Sequence, residues 1–187
     1  MGLAEDLAEL NSSLDVDIEE DATEVDLEGK GLQEVPAVVF ALGAVETLVL
    51  DDNSLTAIPD DLGRLTSLVE LHVRNNKRLA ILPEALGQLR ALEGLFAEGN
   101  ALAALPSTIG SCAALKGVMV VRNALRELPP SLCACSQLEG LYADENRLGA
   151  LPPALGDLRA LTELSLRNNA LSELPASIGQ LVQLREL

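Results

Sequence analysis

The chain has 187 residues, 48% of them hydrophobic, enough apolar material for one ordered domain and too much for a disordered one. Aromatics make up 2%, with two Phe, one Tyr and no Trp, so the core has to be built from small aliphatic residues in many copies of one packing unit. The formal charge of −16 repels phosphate backbones and anionic headgroups, which excludes nucleic acid and membrane as partners and favours a protein partner with a basic or mixed-charge surface.

The charge is concentrated at the start. Residues 1–30 hold eleven acids against Lys30 alone, and the remainder holds 18 acids against 12 bases. MGLAEDLAEL is acidic where a signal peptide is basic and then apolar, and no apolar run reaches the length of a membrane span. Asp6 stands where a myristoylation signal needs Ser or Thr after Gly2. Leu3, Leu7, Leu10 and Leu14 fall on one helical stripe. This predicts a helix that covers the open apolar edge of the first repeat, in preference to a dimerising coiled coil, for which two heptads are short. The acidic run from Asp15 to Glu28 has Glu20 where a calcium loop turns on Gly, so it reads as a solvated face. Residues 1–24 thus form an acidic N-terminal segment and residues 25–187 a repeat domain.

The repeat domain has a period of 23 residues. Units start at Val25, Leu48, Leu71, Leu95, Val118, Leu141 and Leu164, with one 24-residue step where the third unit takes an extra residue between Asn76 and Leu79. Leu187 would open an eighth. Each unit begins with a short alternating LxL, a strand whose leucines all point one way. Asn53, Asn76, Asn100, Asn123, Asn146 and Asn169 recur three residues beyond the second apolar position, where an amide can satisfy backbone groups of neighbouring turns. Lys30 replaces the first of them. A proline comes next in each unit (Pro36 to Pro175), suited to starting a helical turn. An LGxLxxL segment then returns the chain and buries its leucines on the strand leucines.

This repeated LPxxLGxLxxLxxLxLxxN pattern resembles the leucine-rich-repeat superfamily. Within it, the pattern is similar to the class of plant intracellular Ras-group-related proteins, animal Ras-pathway scaffolds, and bacterial and protist relatives. The resemblance covers residues 25–187. It implies an α/β solenoid, a horseshoe with a concave parallel β-sheet and short helical or 3-10 segments on the convex side. The implied role is a non-enzymatic scaffold that binds a protein on the concave face, without cofactor, metal or catalytic residue. Extracellular members usually carry cysteine-rich caps. Their absence, with three cysteines in no disulfide framework, points to a reducing, cytoplasmic location, and the resemblance to Ras-pathway scaffolds implies a signalling role.

Binding chemistry belongs at the strand positions that vary. Between the two apolar strand positions the column reads Asp26, Val49, His72, Phe96, Met119, Tyr142, Ser165. Two residues on it reads Glu28, Asp51, Arg74, Glu98, Val121, Asp144, Arg167, and beside that Gly29, Asp52, Asn75, Gly99, Arg122, Glu145, Asn168. The column before the first apolar position reads Glu24, Thr47, Glu70, Gly94, Gly117, Gly140, Glu163. With strands about 4.8 Å apart, Phe96, Met119 and Tyr142 form an apolar stripe about 10 Å long. Gly94, Gly117 and Gly140 are expected to leave it open. Aromatics, Met and Arg are the types enriched at binding hot spots. The predicted partner-binding surface is therefore His72, Phe96, Met119, Val121 and Tyr142, rimmed by Arg74, Arg122, Arg167, Glu98, Asp144 and Glu145. The structural alternative is that the rings only pair across strands and stabilise the stack.

Other residues are assigned lesser roles. His72 among scattered acids lacks the ligand spacing of a metal site or a nucleophile to activate. Cys112 and Cys135 hold leucine positions and should be buried, whereas Cys133 holds the glycine position of the same segment and is expected to be exposed. Lys77 and Arg78, on the insertion, form a basic bump. The competing functional reading is a self-assembling module, or a fragment of a larger signalling protein, that associates through an uncapped C-terminal edge. A monomer is expected, with a dimer through that edge as the alternative.

Overall fold

The leucine stripe at the start does become a helix. In the computed structural model, which describes residues 2–186, Leu3–Leu14 forms α1. Leu7 and Leu10 are buried in the common core, and the helix lies against the first 3-10 turn, η1 (Ala37–Ala41). Asp15, in the left-handed conformation at φ 52°, ends it. The Asn11 side chain then donates to the Ile18 carbonyl at 2.9 Å and accepts the Ile18 N–H at 3.1 Å, fastening the helix end to the chain leading into the first repeat.

The sheet is built from seven three-residue strands: β1 (Glu24–Asp26), β2 (Thr47–Val49), β3 (Glu70–His72), β4 (Gly94–Phe96), β5 (Gly117–Met119), β6 (Gly140–Tyr142) and β7 (Glu163–Ser165). They pair in chain order and all run parallel. Register keeps to the repeat count throughout, so Val49, His72, Phe96, Met119, Tyr142 and Ser165 are successive neighbours. The central residue of every strand, from Val25 to Leu164, is buried, because a period of two sends it to the face opposite its neighbours. Leu187 lies outside the described residues, but Glu186 already bridges Glu163 in parallel register.

The chain returns through η1, η2 (Asp60–Arg64), η3 (Glu84–Gln88), η4 (Ile109–Ser111), η5 (Pro130–Ala134), η6 (Leu155–Asp157) and η7 (Ala176–Gln180). Pro36, Pro59, Pro83, Pro129 and Pro175 cap five of them with φ between −58° and −73°, the range the ring imposes. Each turn closes on its proline carbonyl, as in Leu62 N–H to Pro59 at 3.1 Å. The leucines between the sheet and these turns, such as Leu48, Leu62, Leu65 and Leu68, are fully enclosed. One continuous core runs the length of the stack, and no unit could bury its share alone.

The asparagines form a ladder inside the bend. Asn76 is fully buried. Its amide donates to the carbonyls of Leu50 and Val73, and its oxygen accepts the Leu55 N–H at 3.0 Å. Asn53, Asn123, Asn146 and Asn169 repeat this scheme, each accepting the N–H found 21 residues earlier. Asn100 departs from it. The N–H at that spacing belongs to Leu79, which the one-residue insertion turns back onto the Asn76 carbonyl at 2.8 Å, so the Asn100 side-chain oxygen is buried without a partner.

Candidate functional site

The variable strand positions gather on the concave face, and on β3 and β4 they form a connected network. The His72 and Phe96 rings stack with centroids 4.3 Å apart and planes within 15°. The Arg74 guanidinium carbon sits 4.6 Å from the Phe96 centroid. Arg74 also donates to Asp51 at 3.1 Å, to Glu98 at 3.2 Å and to His72 Nδ1 at 3.1 Å. His72 Nε2 meets Glu70 at 3.0 Å. Guanidinium nitrogens only donate, so Nδ1 accepts, and the tautomer satisfying both contacts carries its proton on Nε2. Burial alone lowers the Arg74 pKa, but the field of Glu98 and the hydrogen bonds and charge of Asp51 outweigh it and raise the guanidinium above its ordinary value. Both His72 ring nitrogens therefore have protein partners.

Phe96, Met119 and Tyr142 continue the row on β4, β5 and β6, each half-buried. Two of the three glycines beside them, Gly94 and Gly140, are not open floor, contrary to the expectation from sequence. The Phe96 ring leans back along its own strand until Cε2 is 2.7 Å from where a β-carbon of Gly94 would stand, and Tyr142 Cε2 comes to 2.9 Å from that point on Gly140. Met119 approaches Gly117 only to ordinary contact, 3.8 Å. A bare α-carbon leaves a flat aromatic ring room to cover the strand, the same relation by which rings shield glycines in sheets. The Tyr142 hydroxyl donates to the Glu163 carboxylate. Together these side chains line a concave groove of about 320 Å³ whose N-terminal wall carries Glu70, Glu93, Glu139 and Glu163, with Lys116 among them. Lys116 pairs with Glu93 at 2.8 Å, and that hydrogen bond raises the ammonium pKa.

The predicted charged rim divides. Glu98 is engaged by Arg74, and Val121 is half-buried. Asp144 turns onto the sheet, where one oxygen accepts the Arg167 N–H at 2.6 Å and the Ser165 hydroxyl at 2.8 Å, as Asp51 accepts the Arg74 N–H at 2.5 Å nearer the N-terminal end. Arg122, Glu145 and Arg167 are exposed. Arg122 and Glu145 also occupy left-handed backbone, φ 56° and 53°, at the turn position that Gly29, Asp52, Asn75, Gly99 and Asn168 fill elsewhere.

Two models of the leucine-rich-repeat family match this chain, over residues 44–102 and 160–181. The chain is a leucine-rich-repeat protein. Its sequence is similar to human volume-regulated anion channel subunit LRRC8E, 38% identical over 81 residues. That stretch is 42% of this chain and only 10% of the subunit, so the likeness concerns the repeats and a small part of a longer protein. Among solved structures it is similar to a leucine-rich-repeat protein of Leptospira interrogans, with TM-score 0.69 and 26% identity over 90% of this chain and 48% of that one. A chain of the Drosophila Toll–Spatzle complex also superposes, with TM-score 0.81 and 25% identity, over 88% of this chain and 24% of that one.

The leucine-rich-repeat geometry corrects one cysteine. Cys133 is buried, not exposed. The glycine column it joins is an interior seam: a β-carbon on Gly87 would stand 2.5 Å from the Thr108 side chain of the next turn, and Gly110 and Gly156 face the next turn's backbone more closely still. A side chain placed there is covered by the neighbouring repeat. Cys112 and Cys135 are fully enclosed, and burial pushes their thiols up to about 11 and about 12. The sequence columns also omit Glu93, Lys116 and Glu139. These residues stand one position before the earliest column considered, on the backbone ladder in which Lys116 N–H bonds Glu93 and Glu139 N–H bonds Lys116. Sorting one more column finds them.

Proposed function

We propose that this protein is a non-enzymatic cytoplasmic scaffold that holds a protein partner against its concave sheet. The observation carrying this is the row His72, Phe96, Met119 and Tyr142, side by side on four strands and half-buried, while α1 lies elsewhere, against η1. Bulky side chains half-open to water on a face that no element of the described residues packs across are the usual mark of an interaction surface. A similar fold belongs to a protein assembly in the Toll–Spatzle complex, which supports the same use here. No described helix is long and apolar enough to cross a membrane.

The test is affinity capture from the native source with wild type, with the Phe96→Ala/Tyr142→Ala double variant, and with Ile81→Ala as a control at an exposed site away from the row. The double variant should lose proteins that wild type and control retain, with its melting temperature within a few degrees of wild type. Equal capture by all three, or unfolding of the double variant, sinks the reading.

A second reading, self-association through the last repeat, draws on Leu174 and Val182, which are 45% and 80% exposed. Light scattering separates the two: a mass that rises with concentration and falls on Val182→Lys supports self-association.

A further inference from the structure

The groove over β4, β5 and β6 has a chemistry more specific than a protein-binding face. Its floor is apolar, formed by Phe96, Met119 and Tyr142, and the three side chains share one direction, toward the N-terminal ends of their strands. The wall they lean toward holds four carboxylates, Glu70, Glu93, Glu139 and Glu163, against the single ammonium of Lys116, a formal charge of −3. Three of these carboxylates already have partners: Glu70 holds His72, Glu93 holds Lys116, and Glu163 receives the Tyr142 hydroxyl. Glu139 is exposed and forms no ion pair among the described residues. The arginines lie on the other side of the row: Arg74, Arg122 and Arg167 each follow the row residue of their own repeat, His72, Met119 and Ser165, by two or three positions. On that side Asp51 and Glu98 are already taken up by Arg74, and Asp144 by Ser165 and the Arg167 N–H, so the carboxylates left for a cation beside the apolar floor are those of the groove wall.

We propose that the groove takes an extended, basic segment of the partner protein. Lys or Arg side chains lay their aliphatic stems on Phe96, Met119 and Tyr142 and bring their cationic heads to Glu139 and Glu163. A long side chain with an apolar stem and a charged tip fits a site with an apolar floor and a carboxylate wall, and a ring at the floor adds attraction for the cation. An acidic segment would face the same wall with like charge, and a purely apolar one would leave the carboxylates desolvated without a counter-charge. Lys116 occupies the position of a competing cation and weakens the site it helps to line. This inference rests on the concave-face reading and narrows it to a partner class.

The probes are three series of fluorescein-labelled nine-residue peptides, with alternate positions Lys or Arg, Leu, or Glu, titrated by fluorescence anisotropy against the whole chain. The basic series should bind, and its affinity should fall severalfold between 50 and 300 mM salt, about as expected for charges partly open to solvent. Glu139→Gln and Glu163→Gln should each weaken it by about two- to fivefold, and Lys116→Gln should strengthen it by a similar factor. Glu→Gln preserves side-chain size and Lys116→Gln shortens one side chain at the rim, and circular dichroism of each variant checks that it is folded. Leu or Glu peptides binding as well as basic ones, failure of all three series, or a Lys116→Gln variant that binds more weakly each overturns the proposal. If the basic series fails while the Phe96/Tyr142 double variant still loses its captured partner, the narrower claim falls and the scaffold reading stands. If capture is unaffected by the double variant, both fall.

Discussion

Phe96 sits on Gly94: its Cε2 comes within 2.7 Å of the point a β-carbon would occupy on that glycine. The same relation holds between Tyr142 and Gly140 but not between Met119 and Gly117. The glycines of one column are thus seats for the rings of the next, and the row of bulky side chains is held in a fixed lean.

Alanine at these three glycines should therefore separate them. Gly117→Ala has room and removes a flexible strand residue, so it should be neutral or stabilising by about 0.5 kcal/mol. Gly94→Ala and Gly140→Ala must push a ring off its seat and should each cost about 1 kcal/mol. Urea unfolding midpoints of the three variants decide it, and equal shifts would mean the rings are not seated.

The asparagine ladder should be uneven in the same way. Asn76→Ala strands an N–H and two carbonyls in a fully buried place and should cost about 2–4 kcal/mol. Asn100→Ala loses two donated bonds but also removes an unpartnered oxygen, and should cost about 1–2 kcal/mol. Denaturant unfolding at matched conditions gives the difference.

Arg122 and Glu145 hold a left-handed turn that other repeats give to Gly, Asn or Asp. Asn adopts that conformation at lower cost, so Arg122→Asn and Glu145→Asn should each stabilise the chain by about 0.5–1 kcal/mol. Thermal unfolding measures the gain. A stabilised Arg122→Asn variant that also loses partner capture would show that the strain is kept for binding.

The enclosed thiols give a pH dependence with a definite sign. In the unfolded chain Cys112 and Cys135 ionise near the ordinary thiol value of 9.0, but in the folded chain only near about 11 and about 12. Their stabilising effect is whole below pH 9 and is lost as pH rises through those folded values, because over that interval the unfolded state has given up protons that the native state keeps. The loss should approach about 1.4 kcal/mol per thiol per pH unit. Unfolding free energies from pH 8 to 10.5 should fall more steeply for wild type than for a Cys112→Ala/Cys135→Ala variant. At pH 7.5 a thiol reagent should leave both unmodified in the folded chain.

The register of the whole sheet is legible in the sequence, since a strict count of 23 with one insertion puts His72, Phe96, Met119 and Tyr142 in the order the strands pair. Strand alternation and the repeat period require only the identity of residues. Rotamers require the surroundings. Nothing in the column Gly94, Gly117, Gly140 says that rings two residues on will fold back over it, or that Asp144 will turn in to take a backbone N–H instead of facing a partner. Cys133 escapes sequence reasoning for a related cause: a glycine column looks like a loop in one dimension, and only the stacking of successive turns makes it an interior seam.

The extra residue between Asn76 and Leu79 gives the array a fault line. Every other rung of the ladder clasps the repeat before it through an asparagine oxygen, and here that clasp is missing because the Leu79 N–H has been drawn onto Asn76. In a stack where each unit is steadied only by its neighbours, one weakened junction divides the rod into a front block and a rear block. Heat or pulling should part the molecule there first, and in native-state hydrogen exchange the amides from Asn76 to Asn100 should open before those of the rungs on either side.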